Sequence, residues 1–211
     1  GLGCAAAPYL VASGVGTITL VDDDTVDSSN LQRQILYREA DIGQSKSVQA
    51  AASLRQLNSE IAINTLQQRL TVDELTKLVP QYSLVLDCTD NLSTRNAINV
   101  ACVNAKVPLV SGAASRLEGQ RAVFDSRDAN SPCYRCLYEE DNDDLTCAAN
   151  GVLAPLVGII GSMQALETIK LICGFGTNLA GRLLLLDAIK FTAERAFGIV
   201  FSQIPTHMFA G

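Results

Sequence analysis

Ser83-Leu84-Val85-Leu86-Asp87-Cys88-Thr89-Asp90-Asn91 is the stretch on which the fold turns. A short apolar run ends in a carboxylate, and a helix pattern opens at Asn91 almost without a break. Ser83–Cys88 reads as a buried strand, and Asn91–Asn104 as the helix that follows it. Pro108–Ala113 is again strand-like. Working upstream, Ile61–Leu66 and Thr17–Val21 are strands, while Ser45–Leu57 and Ala5–Ser13 are helical; Pro8 falls near the first turn of the latter, where its missing N–H is tolerated. Thr71–Leu78 is a short helix that starts on a capping box, Thr71 with Glu74 three residues on. Strands alternating with helices imply an α/β, Rossmann-like doubly wound, mostly parallel sheet. After Ala113 the rhythm changes. Gly119–Phe124 is a strand with no helix before it, so an antiparallel extension is expected. Residues 126–150 form a long polar, Cys-bearing loop with an acidic cluster from Glu139 to Asp144, and such loops are usually functional or disordered. A long helix over Val152–Cys173 follows, with Gly158 and Gly161 as candidate bends. Leu183–Leu186 is a strand, and Phe191–Val200 is weakly strand-like.

The chain of 211 residues carries 16 Lys+Arg against 22 Asp+Glu, a net charge of −6, which argues against a broad nucleic-acid-binding face. Apolar residues make up 48% and charged residues 18%, enough to bury a substantial core in one domain. No apolar run reaches bilayer length, the longest spanning Gly151–Gly161, so no membrane role is expected. Seven cysteines, an odd number in a chain too large to need disulfide staples, read as reduced, cytoplasmic thiols with metal or nucleophile roles. The chain opens on Gly1-Leu2-Gly3 with no strand before it. It reads as a piece of something longer whose first, central strand is missing, which would leave the neighbouring strands without a partner.

Gly1-Leu2-Gly3 leads straight into a helix, and a strand ending at Asp22 follows. A glycine turn opening a helix can hold phosphate on its N–H groups, and an acid about 20 residues on can accept from a ribose hydroxyl. A tight turn with a solvent-facing Asp would look the same. Asn30-Leu31-Gln32-Arg33-Gln34 and Lys46 occupy an unusually long link after that strand. Arg33 and Lys46 are either surface charges or the cations a triphosphate needs. Asp90 offers hard oxygens for Mg²⁺, or else caps the helix beginning at Asn91. Cys133-Tyr134-Arg135-Cys136 is half of a tetrahedral Zn²⁺ site, with a redox dithiol as the rival reading. Cys147, at the end of the irregular loop, is a transfer nucleophile or an inert thiol. His207, the only His, lies in a tail, which leaves little room for Ser-His-Asp or Cys-His catalysis.

Five motifs in order carry a resemblance: Ser29-Asn30-Leu31-Gln32-Arg33-Gln34, Leu86-Asp87-Cys88-Thr89-Asp90-Asn91, Val107–Ala114, Cys133-Tyr134-Arg135-Cys136-Leu137 and Gly151-Val152-Leu153-Ala154-Pro155. The sequence resembles the MoeB/ThiF family of ubiquitin-like-protein activating adenylyltransferases over Gly1 to about Lys190, and its MoeB branch more than its ThiF branch. The resemblance implies that residues 1–211 are a single adenylation domain with 126–150 as its crossover loop. It places Gly1 and Gly3 in the phosphate loop, Asp22 on the ribose and Asp24 near the nucleotide. Asn30, Arg33, Gln34 and Lys46 would contact ATP, and Asp90, beside Asn91, would support Mg²⁺ and the reaction. Cys133 and Cys136 would be two of four ligands to a structural Zn²⁺, the second pair being absent from this chain. Cys147 matches a position that takes part in sulfur or acyl chemistry.

The implied reaction is ATP-dependent adenylation of the C-terminal glycine of a small β-grasp carrier of the MoaD or ThiS type. A sulfur donor, a cysteine desulfurase or a rhodanese, would then supply the thiocarboxylate, and the enzyme would act as a homodimer. Two other readings use parts of the same pattern. A nicotinamide-dependent oxidoreductase shares the glycine turn and Asp22, but leaves Arg33, Lys46 and the C-x-x-C without a purpose. A non-catalytic partner subunit that docks a ubiquitin-like protein would tend to lose the phosphate-handling residues.

Overall fold

The structure, a computed structural model, describes residues 1–129, 131–138 and 151–197. In chain order the elements are α1 (Leu2–Ala12), β1 (Thr17–Val21), α2 (Lys46–Arg55), β2 (Ala62–Leu66), α3 (Val72–Leu78), β3 (Val85–Asp87), α4 (Leu92–Ala105), β4 (Leu109–Ser115), β5 (Glu118–Phe124), a single turn α5 (Tyr134–Leu137), α6 (Ala154–Cys173), β6 (Arg182–Asp187) and β7 (Thr192–Phe197).

The strands form two sheets. β1 and β2 pair in parallel, from Thr17 opposite Ala62 to Val21 opposite Leu66. The other five run in the order β3-β4-β5-β6-β7, with β3 and β4 parallel and the remaining three pairings antiparallel. The antiparallel extension expected after Ala113 is therefore present and continues to the end of the described chain. Among the described residues β1 has β2 as its sole partner and β3 has β4, so the sheet is interrupted between β1 and β3. Side chains bridge the interruption: Thr19 Oγ1 and Tyr82 Oη lie 2.6 Å apart.

Helices α1 and α6 pack closely. A Cβ at Gly161 would meet the Leu2 carbonyl oxygen at 2.6 Å, so this glycine lets two backbones approach, and its use is contact more than bending. Helix α6 has 20 residues, and an 18-residue window within it has a mean hydropathy of 1.5, which by length and composition is enough to cross a bilayer. This corrects the expectation that no apolar stretch is so long. The helix nevertheless buries Gln164 and Glu167 against protein, and Leu156, Val157 and Ile160 pack with Leu2 and Leu186. A second core lies between α3, α4, β4 and β5, around Ile98, Leu109 and Phe124. The capping box at Thr71 is formed: Thr71 Oγ1 accepts from Glu74 N at 3.3 Å, and a Glu74 oxygen accepts from Thr71 N at 2.8 Å.

Candidate functional site

Three elements converge on the first turn of α1. Helix α1 begins at Leu2, earlier than the sequence suggests, so the glycine turn and the helix N-terminus are one feature. Gly1 is its N-cap, and no side chain caps it. Its first N–H groups therefore lack intrahelical partners, and the partial positive charge there suits an anion. Space is tight around it. A Cβ on Gly1 would sit 2.9 Å from Val157 Cγ1 and 3.7 Å from the Arg33 side chain; one on Gly3 would lie 3.7 Å from Cys88 Cβ. The link bearing Arg33, the end of β3 and the start of α6 thus surround the glycine turn.

The link itself is folded back on α2. Val26 N donates to Gln44 O at 2.8 Å, and Lys46 N to Asp24 O at 3.0 Å. Asn30 O accepts from both Arg33 N (3.1 Å) and Gln34 N (2.9 Å), a tight turn that half-buries Arg33 and buries Gln34. Arg33 Nη1 donates to the backbone at Ser29 O, 3.2 Å away. Lys46 is buried at the start of α2, and its Nζ pairs with Asp24 Oδ2 at 2.8 Å; the lysine side chain is 9% exposed and the aspartate 63%. Asp22 stands next to this pair. Its Oδ1 accepts from Asp24 N at 3.0 Å, and burial holds its carboxyl above its ordinary value. Of the two cations, Lys46 is buried and Arg33 is half-exposed.

At the end of β3 the two candidate uses of Asp90 separate. The cap of α4 is Asn91, whose Oδ1 accepts from Thr94 N at 2.9 Å. Asp90 is exposed, and among the described residues its carboxylate has no partner, so its oxygens are available to a hard cation. Asp22, Asp23 and Asp24 are the one group of three or more such donors that cluster closely among the described residues.

Cys133 and Cys136 sit apart from this edge. Their sulfurs lie 3.2 Å apart across α5, which Asn99 Oδ1 ties to α4 by accepting from Tyr134 N at 2.9 Å. Both thiols are free. They offer two of the four soft donors that tetrahedral Zn²⁺ takes, and no third donor joins them among the described residues. Cys147, the acidic cluster 139–144 and His207 lie outside the described residues.

Three residues to which sequence reading gave no role, Asp87, Arg95 and Gln164, form a buried polar group next to the turn that carries Asp90. Their one visible signal is a Gln and a Glu, residues 164 and 167, in the middle of an apolar helix.

Comparison with known proteins gives a consistent picture. The ThiF family profile matches residues 1–199. The molybdopterin-synthase adenylyltransferase of Salmonella typhimurium is 51% identical over 190 residues, which is 90% of this chain and 76% of that protein. The protein of the same name from Haemophilus influenzae is 45% identical and covers 99% of this chain and 83% of its own length. The adenylyltransferase and sulfurtransferase MOCS3 of Culex quinquefasciatus is 45% identical over 98% of this chain, but this chain spans only 49% of it. Among solved structures, E. coli MccB with ATP superposes with a TM-score of 0.81 at 22% identity, over 96% of this chain and 63% of that one, a likeness of fold.

Proposed function

Because the chain belongs to the ThiF family, we propose that it is an adenylyltransferase that uses ATP to activate the C-terminal glycine of a ubiquitin-like sulfur carrier of the MoaD or ThiS type. A carboxylate oxygen of the carrier attacks the α-phosphorus. The new O–P bond forms as the bond to the β-phosphate oxygen breaks, and pyrophosphate leaves. The product is an acyl-adenylate; a persulfide carried by a sulfur donor such as a cysteine desulfurase or a rhodanese attacks its acyl carbon and expels AMP, and a thiol reductant then cleaves the resulting acyl disulfide to the thiocarboxylate.

One observation carries the reading: the Arg33 side chain packs beside Gly1, where the N-terminus of α1 has no side-chain cap. The chemistry asks for positioning and charge neutralisation more than proton transfer. The α1 N-terminus at Gly1 and Gly3 cradles phosphate oxygens. Arg33, held on its turn by Asn30 and packed beside Gly1, forks onto two of them, and Gln34 supports the turn from inside. Lys46 contributes a point charge when a phosphate oxygen replaces Asp24 Oδ2. Asp22 accepts from the ribose. Asp90, which Asn91 frees from capping duty, would hold Mg²⁺, and that ion would supply charge neutralisation for the polyphosphate.

Cys133 and Cys136 supply half the donors of a structural Zn²⁺, and Cys147 is assigned to the sulfur-transfer stage. The free thiols support a reducing, cytoplasmic setting. A homodimer belongs to the same reading; Leu166, Ile172 and Phe175 expose apolar surface on and just beyond α6.

The test is ATP–pyrophosphate exchange dependent on an added carrier protein. The intact protein should exchange, and Arg33→Ala and Asp90→Ala should abolish it. Exchange unaltered in both variants contradicts the assignment.

A further inference from the structure

The turn between β3 and α4 presents Asp90 to solvent, yet it is gripped from inside by three buried side chains. Asp87, 1% exposed, folds the turn: its Oδ1 accepts from Thr89 N at 2.9 Å and Thr89 Oγ1 at 2.7 Å. Its Oδ2 accepts from Ser111 Oγ on β4 at 2.9 Å. Arg95, from the first turn of α4, lays its guanidinium across the same turn. Nη2 donates to Thr89 O and, at 3.0 Å, to Gly112 O, while Nη1 lies 3.4 Å from Asp87 Oδ2. Gln164, fully buried on α6, completes the grip. Its Nε2 donates to Asp87 O at 2.8 Å and to Val110 O at 3.4 Å.

The space for that carboxamide is reserved by a second residue. A Cβ at Gly112 would fall on the Gln164 side-chain amide, so β4 carries glycine where it passes the glutamine. A buried carboxamide is costly unless its hydrogen bonds are made, and here they tie α6 to the last residue of β3, where the turn carrying Asp90 begins, and to Val110 of β4.

We infer that Arg95 and Gln164 are positioning residues for adenylation: together they clamp the β3–α4 turn and fix where Asp90 stands. The inference rests on the adenylation reading above. Neither residue reaches the polyphosphate in that reading; both act through the backbone of residues 87–89. A displacement of about 1 Å at a reacting group can cost about 10²-fold in rate, so the clamp matters to turnover more than to nucleotide capture by Arg33 and Lys46.

The experiment uses the intact protein with Gln164→Met, which keeps the volume and removes both donated bonds, and Arg95→Lys, which keeps the charge and removes the fork. In the nucleotide-free proteins, hydrogen exchange should rise at the amides of residues 88–91 while β4 and β5 stay protected. In carrier-dependent ATP–pyrophosphate exchange, kcat should fall by at least about tenfold, with KM for ATP within about twofold of wild type. The half-saturating Mg²⁺ concentration should rise. If Gln164→Met does not fold, Gly112→Ala, which pushes the carboxamide aside, must give the same pattern. Full turnover in the folded variants overturns the inference, as does exchange that rises uniformly through the core. Both results leave adenylation standing if Asp90→Ala is inactive. A wild-type protein without carrier-dependent exchange overturns adenylation instead.

Discussion

Two ion pairs stand at the carboxyl ends of two strands, after β1 and at the end of β3, and they are built differently. Lys46 and Asp24 are 2.8 Å apart, with a buried amine and a carboxylate 63% exposed. Arg95 and Asp87 are 3.4 Å apart, with side chains 8% and 1% exposed, and each makes further hydrogen bonds within the protein. The first pair can exchange partners. Water or a phosphate oxygen can replace Asp24 at Lys46 with little loss, because a pair with one solvated member contributes little to stability. The second pair is fixed by its burial and by the further hydrogen bonds of both members, and breaking a buried pair by removing one member is costly. The pair after β1 therefore leaves one member in solvent, and the pair at the end of β3 is a fixed frame.

The largest test of this contrast is Asp87→Ala, which strands the Arg95 charge and should cost about 3–5 kcal/mol of folding stability, read from urea denaturation. A loss near zero would make the two pairs alike. Next is Lys46→Ala. Carrier-dependent exchange should drop by about 10²-fold or more, while the urea midpoint moves by less than 1 kcal/mol, on the order expected for a pair with one solvated member. A stability loss comparable to that of Asp87→Ala would show that Lys46 is structural.

A third effect is alkaline. Burial first, and the Asp87 carboxylate second, push the Cys102 thiol up to about 12 from an ordinary 9.0. The folded chain thus keeps a proton that the unfolded chain releases. The stabilisation this gives is complete below about pH 9 and is lost as pH rises toward 12. Urea midpoints followed across that range should fall, and Cys102→Ala should flatten the fall. The smallest effect lies outside both pairs. Thr71→Ala removes the cap of α3 and should cost about 1 kcal/mol with exchange activity unchanged.

Much of this was legible in the sequence because it is local. The alternation of strands and helices, the Thr71 capping box and the antiparallel turn after Ala113 each depend on residues close together in the chain. The link carrying Arg33 and Lys46 was legible too, since its length and its cations stand out. Asp90 was ambiguous because Asp and Asn are both good caps and the two positions are adjacent; only the hydrogen bond from Thr94 N to Asn91 decides the register. Gly161 suggested a bend, but its purpose comes from α1, far away in sequence. Gln164 was hidden for the same reason. Its partners are backbone carbonyls 77 and 54 residues earlier, and a backbone acceptor leaves no mark in a sequence.

The central claim is that the cations and N–H groups at this edge receive a triphosphate. A crystal structure of the intact protein with a non-hydrolysable ATP analogue and Mg²⁺ tests it most directly. Phosphate oxygens are expected on the first turn of α1, with Arg33 forked onto them, Lys46 released from Asp24, and the metal against Asp90. A nucleotide bound elsewhere, with the Lys46–Asp24 pair intact, would contradict it.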